Sequence, residues 1–231
     1  MLIKNLFLDF ANLIYPDICM SCGNNLLSNE QYLCVDCYYD LPRTNFYKDP
    51  ENPVAKIFWG RAKIEQAFSY FYFSKGSKFQ KLIHHIKYQG YKELGYYLGK
   101  NFGMEIKDFF PEDYFDYLIP VPLHPKKEKK RGFNQSEWIA NGIGEALNVN
   151  VDSKSLIRNV YTETQTKKSR IERWKNVESI FQLKNPEKFN KKHIVIIDDV
   201  ITTGSTIEAC IETINNACNA RISVMTLACV G

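Results

Sequence analysis

Two periods alternate along this chain. Short β-branched or aromatic runs, too brief for helices, precede stretches whose apolar residues recur three and four apart. Ala67 to Phe73 reads as an aromatic strand, and YLIPVP (Tyr117 to Pro122) as a short buried one. Ile194 begins a third strand of four apolar residues, and Cys229 falls in a last one. Phe79 to Lys87 presents Phe79, Leu82, Ile83 and Ile86 on one helical face and stops before Gly90. A second helix is expected from about Glu93 to Lys107. Asn134, with Glu137 three residues on, predicts another helix start through a capping box. Ile207, Cys210, Ile211 and Ile214 form the apolar face of a further helix. The segment rich in Pro and Asn between Pro42 and Pro53 is expected to be a loop. At the amino end, Leu6, Phe7, Phe10, Leu13 and Ile14 predict a short amphipathic helix packed on the body; Asp9 and Asn12 argue against a signal peptide.

The segment IVIIDDVITTGST, Ile194 to Thr206, joins strand, acid pair, small hydroxyl-rich turn and helix in that order. Backbone N–H groups at a helix start, with the hydroxyls of Thr202, Thr203, Ser205 and Thr206 beside Gly204, suit a dianionic phosphate monoester. Asp198 and Asp199, a few residues earlier, suit the vicinal hydroxyls of a diol. Together they describe a ribose 5-phosphate. The competing reading makes the acids solvated strand-end residues and the turn a helix cap.

Cys19, Cys22, Cys34 and Cys37 are spaced C-x2-C-x11-C-x2-C, and Gly23 allows a tight turn after the second. Two close pairs predict four thiolates around one tetrahedral Zn2+. A site filled by four thiolates leaves no open position, so this zinc is expected to be structural. Cys210, Cys218 and Cys229 read as small buried apolar residues, and the adjacent His84 and His85 diverge on a helix and read as structural or surface residues.

Composition changes this picture little: 45% hydrophobic residues suffice for a core, and a net charge of +4 is too small to announce a nucleic-acid binder. The distribution matters more. Lys126 to Arg131 carries five positive charges and one negative, the whole chain's excess in six residues. Thr162 to Lys175 adds five basic residues against two acidic ones. Both stretches are candidates to face a polyanion. No apolar run reaches the roughly 18 residues of a membrane span, and a cytoplasmic location is expected.

The acid pair and turn resemble the signature of the type I phosphoribosyltransferases, which bind 5-phosphoribosyl 1-pyrophosphate (PRPP). LIHHIKYQG, LIPVPLHPKKEKKRGFNQ and the series Arg158, Thr162, Gln165, Arg173, Asn176, Val177 and Phe181 narrow the likeness. With the four-cysteine module, they look like the successive blocks of the ComF family of competence-associated proteins. The resemblance implies an α/β fold, a mostly parallel sheet flanked by helices, with a helix and zinc module over 1–60 and the phosphoribosyltransferase-like domain over 61–231. It also implies that Asp198 and Asp199 hold the ribose hydroxyls and Thr202 to Thr206 the 5-phosphate. Lys87, Lys126, Lys127 and Arg131 are the candidates for the pyrophosphate side, with Mg2+ bound alongside PRPP. Tyr161 to Asn176, with Gln165 and Arg173, takes the place of a loop that closes over PRPP. TETQ lacks the proline expected before the glutamine, and lysine stands at 126 and 127 where arginine is often seen, without its planar fork. Two functions follow from the resemblance: a PRPP-binding protein that handles single-stranded DNA during natural transformation with other competence proteins, or a transferase that moves phosphoribosyl from PRPP to an unidentified acceptor. Basic loops beside Phe133, Trp138 and Trp174 are candidate stacking surfaces for unpaired bases.

Overall fold

The computed structural model describes residues 16–158 and 180–230. The expected amino-terminal helix and the segment holding Gln165, Arg173 and Trp174 lie outside the described residues. The strands that form the main sheet are β1 (Gln66–Phe73), β2 (Tyr117–Pro120), β3 (Asn150–Val151), β6 (His193–Ile201) and β7 (Arg221–Val230). Their order is β1-β7-β6-β2-β3 and every pairing is parallel. A separate antiparallel pair joins β4 (Leu156–Arg158) to β5 (Phe181–Leu183).

The central strands are apolar without alternation because both faces of the sheet are covered. On one side, Val195 and Ile197 of β6 pack with Phe68, Met225 and Leu227 beneath α3 (Gln80–Tyr88), α4 (Lys92–Ile106) and α6 (Gln135–Leu147). On the other, Ile194 and Ile196 meet Ile207, Cys210, Ile211 and Ile214 of α7 (Ser205–Ala217). Cys19, Leu33, Cys34 and Cys37 belong to the first of these cores, so the cysteine module sits on the sheet's α3, α4 and α6 side; Cys34 and Cys37 flank and enter α1 (Val35–Tyr39). Helices α4 and α6 approach closely through glycine: a Cβ at Gly99 would collide with the carbonyl of Ile139, and one at Gly142 with that of Tyr96.

Three local expectations change. The segment between Pro42 and Pro53 is no simple loop, since it contains a 3-10 turn, Phe46–Lys48, and leads into α2 (Pro53–Lys56). Asn52 caps that helix by accepting the N–H groups of Val54 and Ala55, and Pro53 needs no partner at the first helical position. The Asn52 amide then donates 2.7 Å to the carbonyl of Asp49 and 2.8 Å to that of Ala67, tying the segment to β1. The basic stretch is likewise a helix, α5 (Pro125–Arg131), with proline at its start and Gly132 at a left-handed stop. Strand β6 carries on through the acid pair to Ile201. The Asn134 cap forms, with its side chain accepting the N–H of Ser136, two residues on, at 3.0 Å.

Cys210 and Cys229 are buried as expected, and burial pushes both thiols above their ordinary range. Cys218 is half-buried at the end of α7, less enclosed than its apolar reading implies. His84 and His85 do diverge, one against Tyr88 and the other against Tyr91. Among the described residues no helix is long and apolar enough to cross a membrane.

Candidate functional site

Strand β2 ends at Pro120, opposite Ile197, while β6 continues past it. Chain connections leave toward β3 on one side of this pair and toward β7 on the other, so the gap beyond β2 lies at the switch point of the sheet. Open parallel sheets bind ligands at such crevices. The last ladder bond here is Val121 N–H to the carbonyl of Ile197 at 2.9 Å. Asn134 holds the exit of β2 by donating 3.0 Å to the Val121 carbonyl, which brings the first turn of α6 over the crevice.

Asp198 and Asp199 stand in that crevice. One oxygen of Asp198, Oδ1, accepts the Ser136 hydroxyl at 2.9 Å and the backbone N–H of Asp199 at 2.8 Å. Asp199 is 4% exposed; its Oδ1 lies 2.9 Å from Lys87 Nζ, at the end of α3, and its buried Oδ2 has no hydrogen-bond partner among the described residues. Removal from water, with Asp199 as a second negative charge beside it, pushes the Asp198 carboxyl up to about 7, although Ser136 and Lys87 act in the opposite direction. Two carboxylates against one ammonium leave an excess of negative charge and acceptors without donors, an arrangement suited to the hydroxyls of a diol.

Downstream, Thr202, Thr203, Ser205 and Thr206 are exposed, and buried Gly204 is the cap residue of α7. Gly204 has φ +74°, and a Cβ there would lie 2.7 Å from Ile57 Cγ2, so both conformation and space select glycine. The Thr203 and Ser205 hydroxyls lie 3.1 Å apart. Gly204 offers no side-chain cap, and the first-turn N–H groups of α7 stand beside four hydroxyl-bearing residues, the chemistry that receives a phosphate.

Lys87 also lines a cleft of about 290 Å³ with Tyr88, Gly90, Lys127, Lys130 and Arg131. The structure therefore brings Lys87, Lys127 and Arg131 together. Lys126 is not among the lining residues; its N–H is bonded instead to His124 Nδ1 at 3.2 Å. Lys130 joins them because the basic stretch is a helix and not a loop: Lys127, Lys130 and Arg131 then fall three and four apart on one face. Ser136 carries no sequence signal of its role, as its partner is 62 positions away.

The four cysteine sulfurs lie within 4.8 Å of one another, with Cys22 and Cys34 Sγ 3.8 Å apart. Tetrahedral zinc–thiolate bonds of about 2.3 Å imply sulfur separations of about 3.8 Å. The N–H groups of Asn24 and Cys34 point at Cys22 and Cys19 sulfur, at 3.5 and 3.4 Å. Burial alone raises the Cys19 thiol, yet hydrogen bonds from the Cys22 and Cys34 backbone outweigh it and bring the thiol down to about 7. The cluster is compatible with a structural zinc site.

The elevated Asp198 carboxyl sets a pH dependence with a definite sign. Its folded value lies above the ordinary 3.8, so the stability it contributes is full below about pH 4 and is lost as pH rises through about 7. Asp198→Asn is expected to be more stable than the wild type at pH 8, with the advantage shrinking toward pH 5 in urea unfolding. Parallel pH profiles for the two proteins would contradict the assignment.

Residues 139–230, which include the acid pair and the turn, match the family described as phosphoribosyl transferase domain. Competence protein ComFC of Bacillus subtilis (strain 168) is 27% identical over 197 residues, 84% of this chain and 77% of that protein. DNA utilization protein YhgH of Escherichia coli O157:H7 is 38% identical over 92 residues, 40% of either chain, so the match spans less than half the length of that relative. Among solved structures, the Bacillus subtilis glutamine PRPP amidotransferase complexed with ADP and GMP covers 57% of this chain and 26% of its own, at 21% identity and a TM-score of 0.41, too distant a likeness to add to the topology above. The ComFC match runs through most of the chain and the domain match takes in the acid pair, so the chain is similar to that competence protein over most of its length and to the phosphoribosyl transferase domain at the candidate site.

Proposed function

We propose that this protein binds PRPP with Mg2+ and serves DNA uptake in the cytoplasm during natural transformation. The observation that carries the reading is the acid pair at the switch point, with Asp199 buried and Asp198 half-buried, followed within one strand end and turn by exposed hydroxyls at a helix start. In this reading Asp198 and Asp199 accept the ribose hydroxyls, Thr202 to Thr206 hold the 5-phosphate, and Lys87, Lys127 and Arg131, with Lys130, face the pyrophosphate. Mg2+, when bound, would supply positive charge to the ligand's anionic groups, and the carboxylates of Asp198 and Asp199 are the residues that would favour a cation nearby. Lys87 is ion-paired with Asp199 and lines the basic cleft, so it stands between the two halves of the ligand.

Calorimetric titration of Mg2+ and PRPP tests this. Replacing both Asp198 and Asp199 by Asn removes charge-assisted hydrogen bonds of about 1.5–3 kcal/mol each, a loss of at least about a hundredfold in affinity. Unchanged affinity would sink the site. Pyrophosphate release, followed in the same samples, reads whether transfer to an acceptor also occurs.

A DNA-handling role draws on the names of the relatives and on the surface beside the cleft. Tyr88 is 67% exposed with the Arg131 guanidinium 5.4 Å from its ring centre, and Lys92 stands 4.6 Å from the ring of Trp138. An exposed ring and a half-buried one among cations suit unpaired bases and their phosphates. Binding of a single-stranded oligonucleotide is expected to fall steeply with salt, and Lys127→Glu with Lys130→Glu to flatten that slope by about one unit for each phosphate deprived of its cation. An unaltered slope would remove this surface from the reading.

The cysteine cluster is proposed to hold one structural Zn2+. Metal analysis of native protein is expected to give one zinc per chain, and Cys22→Ser to lose it and loosen the amino-terminal region in hydrogen exchange; zinc-free native protein would end the proposal.

A further inference from the structure

The turn that precedes α7 is held from behind by a residue far away in sequence. Arg61 follows α2, and its Nη1 donates 3.0 Å to the carbonyl of Thr203 and 3.3 Å to that of Ile57. Its Nε donates 3.2 Å to Glu208 Oε1, and its Nη2 bonds the second oxygen of the same carboxylate. The guanidinium thus uses both edges, a fork on Glu208 and a single arm on the turn. Lysine has no such geometry.

Two consequences follow. A trans peptide directs its C=O and N–H to opposite sides. With the Thr203 carbonyl drawn toward Arg61, the N–H of Gly204 is turned away from it, out of the protein's wall. Ile57 and Phe58, from the same segment, close the space behind Gly204, at 2.7 and 3.4 Å from where a Cβ would stand. The second consequence is electrostatic. Glu208 lies in the first turn of α7, where its carboxylate would oppose an arriving dianion, and the fork neutralises it.

We propose that Arg61 is a positioning residue of the phosphate turn, fixing the Thr203–Gly204 peptide and masking Glu208 so that the turn accepts a phosphate monoester. This rests on the PRPP reading of the site. It assigns to the segment before β1 a share in ligand binding without contact to the ligand.

The test uses the zinc-loaded full chain and two probes, ribose 5-phosphate and Mg2+-pyrophosphate, titrated separately. Arg61→Gln is expected to weaken ribose 5-phosphate by about tenfold, the scale of one charge-assisted hydrogen bond, while Mg2+-pyrophosphate changes less than about twofold. Arg61→Lys, which keeps the charge and the fold more readily but loses the fork, should fall between wild type and Arg61→Gln. Equal loss for both probes, or full ribose 5-phosphate affinity in both variants, would overturn the positioning role while leaving the PRPP reading in place. Failure of the wild type to bind ribose 5-phosphate and PRPP would overturn the reading itself, and the positioning role with it.

Discussion

Opposite Tyr117 to Pro120, β6 is paired on both edges, with β2 on one side and β7 on the other; beyond Ile197 only β7 remains. In a parallel strand, a residue's N–H and C=O point to the same edge, and every second residue repeats the direction. Ile197 faces β2, so Asp199 faces the place where β2 has ended. Its N–H is satisfied by Asp198 Oδ1 instead of by a strand. The absence of one neighbour thus accounts for both the crevice and the use of a carboxylate as a local backbone partner. An unpaired buried N–H would cost about 1–3 kcal/mol.

Two helices then meet at the acid pair from different directions. Helix α6 brings Ser136 because Asn134 anchors its start to the end of β2, and α3 brings Lys87 from its last turn. The close approach of α4 to α6 through Gly99 and Gly142 fixes α6 against its neighbour. Charge alone would drive the carboxylates into water; the packing holds them in the crevice, and the cost appears as the raised Asp198 carboxyl. A site that carries unsatisfied acceptors before any ligand arrives is typical of preorganised binding.

The amino-terminal segments are not a detached appendage. Cys19, Cys34 and Cys37 share a core with Phe68 and Leu82, and Asn52 ties α2 to β1. The module's position is therefore set by the same sheet that sets the crevice.

Much of the fold is legible in the sequence because its elements carry complete local signals. The Leu82, Ile83 and Ile86 face and the β-branched run from Ile194 each state a period within a few residues, and each appears where expected. The basic helix and α2 carry signals too, His124-Pro125 to Gly132 and Asn52-Pro53, but composition rich in lysine or proline points to loops. The sequence by itself determined where an acid pair, a hydroxyl-rich turn and four thiols stand, since that depends on residue type and near-neighbour spacing. Only the tertiary structure decided that Ser136 meets Asp198, that Lys87 meets Asp199, and that Arg61 reaches Thr203. Those pairs join positions 62, 112 and 142 residues apart, and they exist only because parallel pairing and helix packing close the long loops between them.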